Sequence, residues 1–242
     1  MINPHEGKPP SIILGIPGMW KDRSDFLSAV IKNSDFIFAG NVLYHPPSRR
    51  GISTEISKPD PRLQRAFQIA SGNRIPDEEL RAIDLHTMTP YLIGPGGSFE
   101  NAKFMVQAAA AVLKAGGLGV KVESAGIAHS RARWLELENQ ELFIYGLDAF
   151  VVFCHGTTTY SCGMHNLGFR DAVFPSFVED SVEMLRLFLR YSITPAKPLS
   201  DRNTVTLGQF KYRMHTRPCT TFAADSPFHN PYGVWSLERT LP

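Results

Sequence analysis

The segment SFENAKFMVQAAAAVLKAGG, which begins at Ser98, restricts the fold more than any other. It is dense in residues that give up little entropy in a helix. Ser98 stands where an N-cap belongs and Gly116-Gly117 closes the run, so a helix is expected over 98–115. Runs suited to strands flank it at 82–93 and 118–123. A long helix between two strands argues for a mixed fold.

The same reading extends in both directions. Residues 11–16 form a short apolar run stopped by Pro17-Gly18, hence a first strand. A helix over 22–32 follows, with Ser24 as N-cap, Phe26, Leu27, Val30 and Ile31 on one face, and Asn33 at its end. Residues 35–44 return as a strand, and the breaker-rich HPPSRRGISTEISKPDP, about 45–61, reads as an exposed excursion. Helices are expected at 61–71 and 76–81, the second with acidic residues where the helix dipole favours them, and a short helix at 129–138.

Residues 149–155 are apolar on both faces and so predict a central strand. A helix at 176–192 would begin with the capping box Ser176 and Glu179 and bury Val178, Val182, Leu185 and Leu189. Strands near 204–215 and 234–238 complete the chain. The pattern implies an α+β fold: a largely antiparallel mixed sheet with helices mainly on one side, in one composite domain over 1–242.

Composition narrows the function classes. With 43% hydrophobic and 20% charged residues, the chain can bury a core and is not a disordered one. The net charge is only +2 and the basic residues are dispersed, which disfavours a nucleic-acid groove. No window approaches the roughly 18–20 continuous apolar residues of a membrane span. The first residues, MINPHEGKPPSIILGIPG, lack the pattern of a secretory signal, and three irregularly spaced cysteines make no disulfide framework. A cytoplasmic protein without membrane insertion is expected.

Reactive side chains concentrate in CHGTTTYSCGMHNLGF, residues 154–169. If Thr157-Thr158-Thr159 is a hairpin loop, Cys154 opposes Cys162 and His155 opposes Ser161. Alternation then puts both thiols and Met164 on one face, and His155, Ser161 and His165 on the other. A zinc ion needs its ligands to converge, so Cys154, Cys162 and His165 do not suit one, and no metal or cofactor is expected. The thiols read more simply as small core residues. The chemical option left is Ser161 activated by His155 as a serine-type hydrolase. Around Ser161 the chain reads TYSCG, with Thr159 in place of the first glycine of a nucleophile elbow, and no helix follows directly.

IGPGGSFENAKF, 93–104, passes from a strand through a glycine turn into a helix. Gly96, Gly97 and Ser98 could hold an anion on their N–H groups, although the lysine of a phosphate-binding loop is absent. The structural alternative is a tight turn with a serine cap. His86, His129 and the His215–Cys219 pair have no ligand-spaced neighbours.

Three stretches, IILGIPGMWKDRSDFLSAV (12–30), KAGGLGVKVESAGIAHSRARWLEL (114–137) and YSCGMHNLGFRDAV (160–173), together resemble a bacterial family catalogued as domain of unknown function 4261. The resemblance carries no catalytic residues across. It implies a setting near type VI secretion and polymorphic-toxin genes, and hence an immunity protein or an accessory partner of a toxin.

With no intact catalytic motif, a non-enzymatic protein-binding module is the leading expectation, an immunity-type protein that binds and neutralises a toxin. Candidate partner contacts are His45, Arg49, Arg50, Arg217, Phe228, His229 and Tyr232, chosen because arginine and aromatics are enriched at interfaces. The alternatives are the Ser161–His155 hydrolase and a structural component of a secretion system.

Overall fold

In the computed structural model, which describes residues 9–140, 142–175, 180–194 and 199–240, strand alternation and helix periodicity build two sheets around one core. The first half of the chain runs β1 (Ser11–Gly15), α1 (Arg23–Asn33), β2 (Ile37–Ala39), β3 (Val42–His45), β4 (Arg50–Ser57), α2 (Leu63–Ala70), α3 (Asp77–Asp84), β5 (Thr89–Pro95) and α4 (Phe99–Lys114). It continues through β6 (Gly119–Val122), β7 (Ile127–Ser130), α5 (Arg131–Glu138) and α6 (Leu142–Phe150). The seven strands form one antiparallel sheet in the order β2-β3-β4-β5-β1-β6-β7.

One face of this sheet carries Ile12, Leu14, Leu43, Ile52, Leu92, Val120 and Val122, all buried, and α4 lies over it. Ser98 caps α4, its Oγ accepting from the Asn101 N–H at 3.1 Å. The helix buries Phe104, Met105, Val106, Val112 and Leu113 along with five alanines. Each larger side chain contributes about 1.5–3 kcal/mol on leaving water. The alanines keep the helix slim where α1, α5 and α6 crowd it. On the opposite face α2 and α3 cover only the β6–β7 end, through a small separate cluster of Leu63, Phe67, Leu80, Ile83 and Ala128.

The second half forms β8 (Val152–Cys154), β9 (Thr158–Cys162), a 3-10 turn (Met164–Leu167), β10 (Asp171–Pro175), α7 (Ser181–Ser192), β11 (Thr204–Leu207), β12 (Phe210–Arg217) and β13 (Val234–Arg239). Its sheet has the order β11-β12-β13-β10-β9-β8, antiparallel except where β10 runs parallel to β13. Leu185, Phe188 and Leu189 of α7 join Phe174, Tyr212, Met214 and Leu237 of the sheet in the main core. The architecture is α+β, largely antiparallel, with most helices on one side of the first sheet.

Several local expectations are corrected. Asp22, not Ser24, caps α1, its Oδ1 accepting from the Asp25 N–H at 2.9 Å, and Ile31 is exposed. The strand expected at 35–44 is a hairpin that turns at Gly40-Asn41. The exposed excursion at 45–61 is chiefly β4, paired on both sides, with Ile52 and Thr54 turned into the core. Residues 149–155 do not form a central strand: helix α6 runs to Phe150, and β8 lies at the sheet's edge. The capping box Ser176 and Glu179 lies outside the described residues.

Candidate functional site

Strand alternation does shape the 154–169 stretch, but in another register. Val152 opposes Cys162, Phe153 opposes Ser161, and Cys154 opposes Tyr160. The shift is two residues, so Cys154 and Cys162 still share a face. Residues Met164 and His165 leave the strand for the 3-10 turn. Ser161 and His155 do not pair. The Ser161 Oγ–H donates to Asp171 Oδ1 at 2.9 Å, and Ser161 Oγ accepts from the Ala172 N–H at 2.9 Å. The His155 ring shares a hydrogen bond with Thr159 Oγ1 at 2.8 Å, and Thr159 is bonded in turn to Ser181 Oγ at 2.7 Å. Ser161 is thus bonded to a carboxylate and a backbone amide, and not to the imidazole expected beside it.

Asp171 is the hub of this buried network. Besides Ser161 it accepts from the Met164 N–H at 3.2 Å and from Asn230 Nδ2 at 2.6 Å. Burial pushes its carboxyl up to about 6, against the pull of these donors. Burial likewise raises the Cys162 thiol far above its ordinary range, which suits a core residue and not a nucleophile. His129 and His165 are both held down to about 4 by burial. His129 Nε2 meets the Ala149 carbonyl at 3.0 Å. For His165 the backbone oxygens of Pro227 and Ser124 pull the other way, yet neither ring nitrogen makes a hydrogen bond of good geometry. Among the described residues no group of three or more His, Cys, Asp or Glu is placed to hold a metal.

The glycine turn is closed from within. The Gly96 N–H donates to the Pro10 carbonyl at 2.7 Å and the Gly97 N–H to the Asn166 carbonyl at 3.1 Å. Ser98 Oγ serves its own helix. The turn therefore offers no free glycine amide to an anion, and it acts as a joint between α4 and the 3-10 turn.

The expected partner contacts divide between the two sheets. His45 packs its ring against Phe36, centroids 4.7 Å apart, and Arg49 is exposed in a left-handed turn at φ 55. Arg50 lies 4.3 Å over the Phe104 ring and pairs with Glu100 at 3.3 Å. Arg217 pairs with Glu238 at 3.2 Å, the His229 ring meets the Phe222 carbonyl at 3.1 Å, and the Tyr232 N–H donates to Asn230. The side chains of His45, Arg50, Arg217 and His229 thus have intramolecular work. Phe228, its ring tilted against that of Phe222 with centroids 5.4 Å apart, is the one of this set that lines a broad cavity.

That cavity is an open groove of about 1200 Å³ between the two sheets. One wall is α2 and the loop behind it, with Ala66, Ile69, Ala70 and Arg74, and its floor is β7 from Ile127 to Ser130. The other wall is β8 with Tyr160, Cys162, Phe222 and Phe228, and Val182 and Arg186 of α7 close one end. Charge is uneven: Arg74, Lys121, Arg133 and Arg186 line it against Asp148. Asp148 is shared, 2.6 Å from Arg186 and 3.6 Å from Arg133. A largely apolar cleft with a few convergent charges is what a binding site requires. Sequence reasoning missed it because its residues come from six separated stretches of the chain.

The chain matches no family model, no curated protein and no solved structure. No helix among the described residues is long and apolar enough to cross a membrane.

Proposed function

We propose that this chain is a non-enzymatic protein-binding module that works through the groove between α2 and β8. The observation carrying this reading is the contrast between two regions. Ser161 and Asp171 are nearly buried and hold each other in a hydrogen-bond network with Met164 and Asn230, and His155 is bonded to Thr159 instead. The groove, in contrast, presents apolar walls and unevenly matched arginines to solvent. A surface that excludes water from an apolar centre and keeps charge at its rim is the usual anatomy of a recognition site.

The resemblance to domain of unknown function 4261 supplies the biological setting of the proposal: a cytoplasmic immunity-type protein whose partner is a secreted toxin. The test is capture of protein partners by the native chain, compared with the Ile69→Glu/Arg74→Glu double variant. Both positions line the groove and both are exposed, Ile69 at 64%, so the fold should tolerate the changes. A partner held by the native chain and released by the variant supports the reading. If the partner is a toxin, co-expression should suppress its toxicity with the native chain and not with the variant. Capture of no protein, or self-association by light scattering with no other partner, overturns it in favour of a structural component.

A further inference from the structure

We infer that the open edge of β8 takes up an extended, acidic segment of the partner, which pairs with it as an added strand of the second sheet. The inference rests on the binding reading above and gives the groove its occupant.

Among the described residues β8 is hydrogen-bonded on one side only, to β9. Val152, Phe153 and Cys154 all line the groove, although alternate residues of a strand point to opposite faces. Contact with three consecutive residues of an end strand brings the groove against that strand's unpaired side. The neighbours agree: Val182 and Arg186 approach on the Phe153 side, where Arg186 lies 4.5 Å over the Phe153 ring. Tyr160 and Cys162 lie on the other face, with Cys154.

Free edges are commonly blunted by shortness, a lysine, a proline, a bulge or a covering element. Val-Phe-Cys is short, but it carries no lysine or proline, pairs with β9 in unbroken register, and lines a cleft of about 1200 Å³. Strand β7, across the groove, also ends its sheet, but there α2 already packs on the face of the strand through Phe67 and Ala128. Addition at β8 would follow the β-augmentation mode, with main-chain hydrogen bonds giving affinity and alternate side chains giving specificity.

Charge selects the segment. Four cationic side chains line the groove against one carboxylate, and Asp148 answers two of them. Lys121 also pairs with Glu123. Glu136 and Glu183, which reach Arg133 and Arg186, sit at the rim with side chains 61% and 62% exposed, where water screens them. Arg74 is exposed and has no ion pair among the described residues. A strand alternating acidic and apolar residues would place carboxylates toward the arginines and its other side chains on Ile127 and Val152.

The test uses a fluorescein-labelled peptide of about ten residues alternating valine and glutamate, with a valine–lysine peptide as control. Anisotropy should show binding of the first and none of the second, weakened roughly tenfold or more by Ile69→Glu/Arg74→Glu. Hydrogen exchange of the complex should slow the amides at 152–154 at least several-fold. Absence of binding, equal binding of the lysine peptide, or binding without protection at 152–154 overturns the inference. So does sedimentation showing a second copy seated at that edge, or displacement of the peptide by a long-chain fatty acid that leaves 152–154 unprotected. A natural partner that protects other segments and leaves 152–154 unchanged would defeat strand addition while leaving the binding reading standing.

Discussion

Asp171, at the start of β10, ties together its two flanks: Ser161 of β9 and the turn at Met164 on one side, and Asn230 in the loop before β13 on the other. Replacement by Ala would orphan all three donors inside the protein. An unmet buried donor costs about 1–3 kcal/mol, so Asp171→Ala should lower the urea unfolding free energy by roughly 3 kcal/mol or more. The same residue shapes pH dependence. Its folded value near 6 exceeds its ordinary 3.8, so its contribution is full below 3.8 and lost as pH rises through 6. His129 and His165 act with the opposite sign. Their values fall from 6.5 to about 4, so their contribution is present above 6.5 and lost as pH falls through 4. Two histidines outweigh one carboxyl between these limits. Asp171→Asn should therefore steepen the rise of stability between pH 4.5 and 6 by about 1.4 kcal/mol per pH unit over the native chain, as read from urea melts at fixed pH. At this scale the sequence exposed the reactive stretch but not its bonding. Nothing in TYSCG tells that Ser161 answers Asp171 and not His155.

Among the elements, the 3-10 turn between β9 and β10 depends on glycine at both ends. Gly163 has φ +120, and a Cβ there would stand 2.0 Å from the Phe150 carbonyl oxygen. Gly168 has φ +91 and abuts the Gly97 carbonyl in the same way, at 2.4 Å. Gly163→Ala combines backbone strain with a collision against main chain. It should destabilise by roughly 3 kcal/mol or more, visible as a lower thermal midpoint. Helix α4 was legible because its cap, its alanines and its closing glycines agree. Strand β8 was legible as a strand but not as an edge. Apolarity on both faces signals burial on both faces, and a chain cannot reveal whether a strand, a helix or a groove supplies the cover. Helix α6 was missed beside it, since LFIYGLDAF is apolar on every side and shows little helical periodicity. Strand β4 was hidden by the prolines around it, although Ile52, Thr54 and Ile56 keep the alternation.

For the molecule as a whole, one core runs from Ile12 and Leu14 under the first sheet through Trp134 and Phe150 to Tyr212 and Trp235 in the second. A continuous core predicts a single cooperative transition. Trp20 and Trp134 report on the first half and Trp235 on the second. Fluorescence of a Trp235→Phe variant should therefore fall on the same urea curve as its far-UV circular dichroism; separate midpoints would reveal two independent units. The pairing of the chain into one mixed, largely antiparallel fold followed from periodicity, because each strand and helix needs a covered face and shows it locally. The groove did not follow. It joins α2, β7, β8, α7 and the 220–228 loop, elements that carry no shared signature and meet only after the two sheets have packed. Local preference acts over a few residues and is written in order along the chain. Which edge stays open, and which arginines surround it, depends on contacts between segments far apart in sequence, and only the tertiary structure decides those.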